Sequence, residues 1–221
     1  LHLHETADEV NQSVEQYQKR PIKRLHDLGL ITSRLIAVHM TQLNDDDFAI
    51  LTEKKPAIVH CPESNMKLAS GVCPVEKLLA ANITVALGTD GAASNNDLDM
   101  MGEMRTAAFQ AKLSERNPES LPAAKAIELA TLNGAKALGL DQLIGSLKTG
   151  KAADFAAINL DEIETQPLYH PISQIVYAAS RQQVTDTWVA GKRLMKNRQL
   201  LTLDEQDILQ KAKTWIEKIG V

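Results

Sequence analysis

The first ninety residues contain four short β-prone stretches, and each ends in or beside a side chain that can bind a metal or carry a proton. The stretches are LHLH, RLIAVHM, AIVHC and ITVALGTD, and segments with a helical pattern separate them. This alternation is typical of βα units in a parallel sheet. Because parallel strands bring their carboxyl ends to one edge, the sequence predicts an α/β fold with a candidate site formed by His2, His39, His60 and Asp90.

The length of chain between these strands limits the size of the sheet. Each βα unit takes ~25 to 40 residues, whereas His2 and Asp90 are only 90 − 2 = 88 residues apart. If LHLH were a metal-binding His-x-His pair on the first strand of an eight-stranded barrel, that barrel could not close before the pattern changes. We therefore interpret the four stretches as strands five to eight of a (β/α)8 TIM barrel, with strands one to four in an upstream half.

The pattern changes after residue 140, where β-prone stretches occur without helical segments between them. GSLKTGKAADFAAINL and VTDTWVAGKRLMKNRQL are predicted to form hairpins, with turns at 148–151 and 191–192. A final helix is expected after Leu203. These features divide the chain into residues 1–140, half of a TIM barrel, and residues 141–221, a small β-rich composite domain made of a β-sandwich portion and a C-terminal helix.

Composition and charge argue against several classes of function. The chain has a formal net charge of −4 and no block of Lys and Arg, which disfavours nucleic acid or an anionic membrane as a partner. No apolar run reaches the ~18 residues of a membrane span, and no basic leader precedes an apolar segment. We therefore expect a cytoplasmic protein with a small-molecule substrate. Cys61 and Cys73 lack a C-x-x-C spacing and are expected to be buried thiols.

Five motifs together carry a resemblance to a known family. HLHET, AVHM, VHCPESNMKLASG, ALGTDGAASNN and GSLKTGKAAD resemble the second half of an amidohydrolase-superfamily enzyme, and more narrowly the deaminases of 5-methylthioadenosine and S-adenosylhomocysteine. The resemblance implies one divalent metal, usually zinc, held by a His-x-His pair on strand one, a histidine on strand five and an aspartate on strand eight. The last two match His2 and Asp90, and the strand-one pair has no counterpart in these residues.

The same resemblance implies roles for four residues in the reaction. Glu5, which is not a metal ligand, carries a proton to a ring nitrogen of the substrate, and His39 stabilises the oxygen of the tetrahedral intermediate. Asp90 accepts a proton as well as binding the metal, and His60 lines the substrate pocket with Glu5, His39 and Asp90. The implied reaction is zinc-dependent hydrolytic deamination of an adenosine-type nucleoside, with release of ammonia.

Two other functions stay open at this point. Related amidohydrolases act on triazine or guanine-type rings, as a chlorohydrolase or a guanine deaminase, because these rings also carry a displaceable group on an electron-poor carbon. Glu5 favours displacement of an amine, since ammonia leaves only after it receives a proton. The third possibility is a non-enzymatic barrel relative that serves as an assembly module. We also expect a homo-oligomer that needs the N-terminal half of the barrel, and no activity from residues 1–221 alone.

Other polar residues near these motifs have simpler explanations. The period of two along a strand places His4 on the same face as His2, where it is a candidate for a ligand role. His26 in a helical segment and His170 in a loop are expected to be structural. The segment 94–96, with the sequence SNN, is expected to cap the helix that follows the fourth strand.

Overall fold

The computed structural model describes residues 1–220, which contain two sheets of four strands each. The strands of the first sheet are β1 (His2–Leu3), β2 (Ile36–His39), β3 (Ala57–His60) and β4 (Val85–Leu87). Those of the second sheet are β5 (Phe155–Ile158), β6 (Val184–Val189), β7 (Lys192–Lys196) and β8 (Gln199–Leu200). All pairs in the first sheet are parallel and all pairs in the second are antiparallel, so the change of pattern near residue 140 reflects a change of architecture.

Eleven α-helices accompany these strands in the described part of the chain. They are α1 (Ala7–Tyr17), α2 (Pro21–Asp27), α3 (Asp45–Lys54), α4 (Pro62–Lys67), α5 (Val75–Ala80), α6 (Ala92–Asn95), α7 (Met100–Glu115), α8 (Ala123–Ala130), α9 (Leu132–Ala137), α10 (Pro171–Tyr177) and α11 (Glu205–Ile219). The final helix predicted after Leu203 is thus confirmed as α11. Among residues 1–220, no helix has the length and apolar character needed to span a membrane.

The parallel sheet has the strand order β1-β2-β3-β4. His2 lies opposite Val38 in one pair, and Ile58 lies opposite Val85 in another. β1 and β4 are the two edges and do not pair with each other, so the sheet is open within the described residues. An open four-stranded sheet agrees with half of a barrel, since a closed barrel has no edges. That it is the second half, strands five to eight, stays a prediction.

Helices that pack on this sheet and the strands themselves bury apolar side chains in a single core. Both strands and helices contribute side chains to this core. Those that expose no surface include Ala37, Ile58 and Val85 from the strands and Ile22, Leu51, Leu78 and Ala107 from the helices. Burial of this kind stabilises the fold by roughly 25 cal/mol per Å² of apolar surface removed from water. Cys61 and Cys73 are both buried and free, as predicted.

The chain turns sharply where three of the strands end. His4 (φ 52°), His39 (φ 78°) and Asp90 (φ 63°) all have left-handed backbone conformations. Residues other than glycine rarely adopt them, and they persist only where surrounding contacts hold them in place. At this edge of the sheet, the local backbone therefore decides the direction in which each side chain leaves its strand.

The antiparallel sheet has the order β5-β6-β7-β8. The predicted hairpin of VTDTWVAGKRLMKNRQL is confirmed as the β6–β7 pair. The predicted hairpin of GSLKTGKAADFAAINL is wrong, because only its second arm forms a strand, β5, which pairs with β6 instead. The first arm packs on the α8–α9 corner: a Cβ built on Gly145 would lie 2.6 Å from Ala135 Cβ and 3.1 Å from Leu132 Cα. This close backbone approach competes with strand formation.

One helix from the second half of the chain returns to the first. Val176 and Ala179, in and just after α10, expose no surface and belong to the same core as Met104 of α7. Arg105 Nε donates to the carbonyl oxygen of Val176 at 3.2 Å. The domain boundary at residues 140 and 141 stays a prediction, and α10 packs against the helices of the proposed barrel portion.

Candidate metal and catalytic site

Four of the residues predicted from the strand ends lie together at one edge of the parallel sheet. His2 Nε2 is 3.7 Å from Asp90 Oδ1, although the two residues belong to opposite edges of the sheet. His39 Nε2 is 3.2 Å from His2 Nδ1, 3.7 Å from Glu5 Oε2 and 4.0 Å from Asp90 Oδ2. The predicted clustering is therefore present, whereas the role of each residue stays a prediction.

The separation of His2 and Asp90 suits a shared metal ion. Two ligands of a tetrahedral zinc ion, each bound at ~2.1 Å, lie about 3.4 Å apart, close to the 3.7 Å between Nε2 and Oδ1. Imidazole nitrogen and carboxylate oxygen are also donors that zinc accepts. A second grouping is geometrically possible, because donor atoms of His2, Glu5 and His39 all lie within 4.8 Å of one another. The residues present thus fit a divalent metal.

The carboxylate of Asp90 is held by two hydroxyl groups. Ser64 Oγ and Ser94 Oγ each donate to Asp90 Oδ2 at 2.8 Å. Burial on its own raises the pKa of the Asp90 carboxyl, but these bonds and one from the Gly91 backbone outweigh it, so the pKa lies below its ordinary value. Asp90 is therefore kept in the ionised form that a metal ligand or a proton acceptor needs.

The start of α1 holds Glu5 beside the site. Thr6 caps the helix by accepting from the Glu9 amide, and the Glu9 carboxylate accepts from the backbone N–H groups of His4 (3.0 Å) and Glu5 (2.7 Å). The Thr6 side chain and the Glu9 side chain thus tie the first turn of α1 to the two residues that precede the cap. These contacts fix the backbone of Glu5 while leaving its side chain a quarter exposed (25%). Glu5 therefore combines a fixed position with access to a substrate.

His39 is fully buried and is oriented by two neighbours. Its Nδ1 lies 2.9 Å from Asn65 Oδ1, and its ring meets the His2 ring edge to face, with centroids 4.6 Å apart at 82°. The nitrogen that is not engaged by Asn65 is Nε2, which faces His2, Glu5 and Asp90. His39 thus directs one defined atom to the site.

His60 lies at the end of β3 but is buried, with 1% of its surface exposed. Burial lowers the pKa of its imidazole to about 3, so the ring is neutral at physiological pH. Its Nδ1 has no hydrogen-bond partner among the residues that the structure describes. His60 exposes almost no surface that a substrate could contact, and its predicted pocket-lining role stays a prediction.

His4 does not share a face with His2, so that expectation is wrong. β1 ends at Leu3, and the left-handed backbone of His4 turns its ring into the core, where it exposes no surface. His4 Nδ1 lies 2.9 Å from the Gln42 carbonyl oxygen, and Nε2 accepts from the Ile22 amide at 3.1 Å. With one nitrogen donating and the other accepting from the backbone, His4 has no lone pair free for a metal.

The capping role expected for residues 94–96 is also largely wrong. Asp99 caps the long helix α7 through the Met101 amide, and Asn96 ends the short helix α6 instead. Ser94 donates to Asp90, and Asn95 Nδ2 donates to Glu103 at 2.6 Å. Ser94 thus supports a site residue and Asn95 contacts α7 within the helix, so neither caps the first turn of α7.

Three buried residues near the site were not recognised from the sequence. Ser64 and Asn65 lie on α4, a helix that the sequence analysis did not predict. Glu103 exposes no surface, accepts from Asn95 and from the Glu63 amide, and has its pKa raised by burial to about 8. An acidic residue at a core position of α7 was the only sequence signal for Glu103.

Comparison with known proteins places these features in a family. Residues 1–194 match the amidohydrolase family. A 5-methylthioadenosine/S-adenosylhomocysteine deaminase from Teredinibacter turnerae is 46% identical over 220 residues, which is all of this chain and 50% of the relative. The chain therefore spans about half the length of the curated relatives that it matches.

Solved structures also match this chain over about half of their own length. The crystal structure of an adenosine deaminase from Xanthomonas campestris with bound zinc has a TM-score of 0.97 and 50% identity, over 100% of this chain and 50% of that one. A zinc complex of atrazine chlorohydrolase from Arthrobacter aurescens has a TM-score of 0.91 and 26% identity, over 97% and 48% respectively. The two sheets thus match half of barrel-containing enzymes, and the chain belongs to the amidohydrolase family.

Proposed function

We propose that the protein is a zinc-dependent hydrolytic deaminase of an adenosine-type nucleoside, 5-methylthioadenosine or S-adenosylhomocysteine. The observation that carries this proposal is the convergence of His2 and Asp90, 3.7 Å apart, with Glu5 and His39 beside them. The 46% identity to a deaminase of these two nucleosides supports the choice of substrate class. In this proposal the reaction replaces the amino group on the purine ring by an oxygen and releases ammonia.

His2 and Asp90 would hold the metal through imidazole nitrogen and carboxylate oxygen. Zinc supplies, when bound, a water ligand whose pKa is lowered to ~7, so that a nucleophile is available near neutral pH. Two protein ligands leave coordination positions of the metal open. We propose that an upstream half of the barrel supplies a His-x-His pair for them. The same half would complete the substrate pocket.

The remaining steps fall to side chains of this chain. Glu5 gives its proton to the ring nitrogen next to the reacting carbon, then takes the hydroxyl proton of the tetrahedral intermediate and gives it to the amine, which departs as ammonia as the carbonyl forms. Return to Glu5 of the proton that Asp90 took from the attacking water resets the site. His39 Nε2 faces the same space and stabilises the oxygen on which charge develops. Asp90, whose pKa is lowered, accepts the proton that the attacking water loses. Each group lies within 4.0 Å of another member of the cluster.

A second candidate is hydrolysis of a triazine or guanine-type ring. The match to the zinc complex of atrazine chlorohydrolase favours it, because that enzyme shares the fold over 97% of this chain. Glu5 argues for the deaminase, because an amine must receive a proton before it leaves the ring. Chloride leaves without one. A non-enzymatic role is less well supported, because His2, Glu5, His39 and Asp90 are all retained in reactive positions.

The proposal is tested by ammonia release from the full-length protein. Methylthioadenosine and S-adenosylhomocysteine are compared with guanine and atrazine, and zinc is measured by elemental analysis. His2→Gln and Asp90→Asn are expected to lower both zinc content and ammonia release, whereas His26→Gln, a control at the end of α2, should change neither. Release of chloride from atrazine without ammonia from either nucleoside would contradict the proposal.

A further inference from the structure

Two consecutive buried side chains on α4 contact two different strand ends of the site. Ser64 and Asn65 follow β3, which lies between β2 and β4 in the sheet, and neither exposes any surface. Ser64 Oγ donates to Asp90 Oδ2 at 2.8 Å, just beyond β4. Asn65 Oδ1 lies 2.9 Å from His39 Nδ1, at the end of β2. The short helix α4 therefore contacts the last residue of β2 and a residue just beyond β4.

Other contacts hold α4 in place. Pro62 stands in its first turn, where a fixed φ favours the start of a helix. The Ser70 amide donates to the Asn65 carbonyl oxygen at 2.9 Å, and Lys67 Nζ donates to the Ala93 carbonyl oxygen at 2.9 Å. The helix is thus tied both to its own following loop and to α6, the short helix after β4. Its two site-facing side chains are presented from a fixed support, as a preorganised site requires.

The contact with Asn65 decides which nitrogen of His39 carries the proton. An amide oxygen can only accept a hydrogen bond, so His39 donates from Nδ1 to Asn65 Oδ1. In the neutral ring this leaves the lone pair on Nε2, which lies 3.2 Å from His2 Nδ1 and 3.7 Å from Glu5 Oε2. The opposite orientation of the amide would place the proton on Nε2.

We infer that Ser64 and Asn65 are a positioning pair for the reaction, in which Ser64 holds the Asp90 carboxylate and Asn65 fixes the His39 proton on Nδ1. In the free site the unprotonated Nε2 of His39 then faces the substrate, and it donates to the developing oxygen only after it receives the proton that Asp90 took from the attacking water. This inference deepens the proposed deaminase function and rests on it for its kinetic test. The orientation of Asp90 and His39 by this pair rests on the hydrogen bonds alone, so it holds for any reaction at this site.

Asn133 offers a matched control for Asn65. It is also buried (5% exposed) and uses its amide to bond the main chain, with Nδ2 donating to the Val85 carbonyl oxygen at 2.9 Å. Its side chain forms hydrogen bonds with Val85 and Lys136 and none with His39 or Asp90. Asn65→Leu and Asn133→Leu each replace a buried amide by the same apolar side chain. Only the change at Asn65 removes a contact to the site.

The experiment compares Asn65→Leu, Asn65→Asp and Asn133→Leu in the full-length protein. Asn65→Leu is expected to lower kcat for ammonia release by about 10- to 100-fold, the usual effect of losing a residue that orients a site group. NMR spectra of zinc-free protein labelled with ¹⁵N-histidine report which ring nitrogen carries the proton. For His39 they should show a proton on Nδ1 in the wild type and a mixture of the Nδ1 and Nε2 forms in Asn65→Leu. Asn65→Asp keeps an acceptor oxygen and should restore most of kcat. Asn133→Leu should lower the melting temperature and leave kcat unchanged.

Several results would overturn the inference. Unchanged kcat and an unchanged His39 spectrum in Asn65→Leu would do so, as would an equal loss of kcat in Asn133→Leu, which would indicate a general loss of packing. A wild-type spectrum with the proton on Nε2 would contradict the assigned orientation. If Asn65→Leu does not fold, Asn65→Ser, whose side chain is too short to reach His39, should show the same losses. If the wild type releases no ammonia, the proposed function fails, and the spectra still decide the role of Asn65.

Discussion

Ser64 Oγ donates a hydrogen bond to Asp90 Oδ2 over 2.8 Å and so joins α4 to the end of the β4 strand region. The sequence predicted the role of Asp90 but not the helix α4. Ser94 Oγ binds the same carboxylate oxygen at 2.8 Å. Both bonds stabilise the ionised form of Asp90, because a carboxylate accepts hydrogen bonds and a carboxylic acid accepts fewer. The position and the charge of Asp90 therefore depend on two serines from different elements.

Removal of one of these hydroxyl groups should weaken metal binding. We predict that Ser64→Ala lowers zinc affinity of the full-length protein by about 10- to 100-fold, as is usual when a partner of a ligating carboxylate is lost. Competition with a chromophoric chelator measures the affinity. Ser70→Ala is the control, because the Ser70 hydroxyl is buried without a hydrogen-bond partner among the described residues. Equal affinity in both variants would show that Ser64 does not support the metal.

The role of Glu5 separates the candidate functions. Glu5→Gln in the full-length protein should retain zinc and lose deamination by at least the ~10²-fold typical of a general acid or base. A chlorohydrolase would be affected less, and a non-enzymatic relative would release no ammonia before or after the change. Zinc content and ammonia release are measured together, with exposed Glu15→Gln as the control. Loss of zinc would instead favour the grouping of His2, Glu5 and His39 as ligands.

His4 should affect stability and not metal binding. We predict that His4→Leu lowers the free energy of unfolding of the metal-free protein by roughly 1 to 3 kcal/mol, because the Gln42 carbonyl and the Ile22 amide lose a buried partner. The midpoint of urea unfolding measures this loss, and zinc titration of the folded variant should match the wild type. A large loss of zinc affinity without a loss of stability would restore His4 as a candidate ligand.

Buried His60 predicts a dependence of stability on pH. Its pKa is lowered by burial to about 3, below the ~6.5 of an unfolded chain, so below pH ~6.5 the unfolded state binds more protons than the folded state. Stability should therefore fall as the pH is lowered from ~6.5, by up to about 1.4 kcal/mol per pH unit from this group. His60→Asn should show a shallower fall in urea midpoints measured between these pH values. An unchanged slope would mean that His60 does not contribute.

The open edges of the parallel sheet predict self-association of this segment alone. Among residues 1–220, β1 and β4 have no strand partner on their outer sides, and such edges favour aggregation. We predict that residues 1–221 produced alone associate in sedimentation experiments and release no ammonia. The full-length protein, measured in parallel, should form a defined oligomer. A monodisperse, active preparation of this segment would contradict both the half-barrel interpretation and the need for an upstream half.

The sequence by itself predicted the parallel sheet and the strand-end side chains that cluster at its edge. LHLH, RLIAVHM, AIVHC and ITVALGTD have strand composition and are too far apart for hairpins, so parallel pairing follows. Parallel strands end at one edge, which is sufficient to bring His2, His39 and Asp90 together. These conclusions need only the composition of the strands and the length of the connections.

Only the tertiary structure decided which neighbours orient those residues. The left-handed backbone at His4 reverses the direction that a period of two gives its side chain, and such a turn depends on contacts with Gln42 and Ile22, far along the chain. The helix α4 is six residues long, too short for a helical period to identify it. Its Ser64 and Asn65 act through partners 26 residues away in opposite directions, and contacts of that separation leave no local pattern in the sequence.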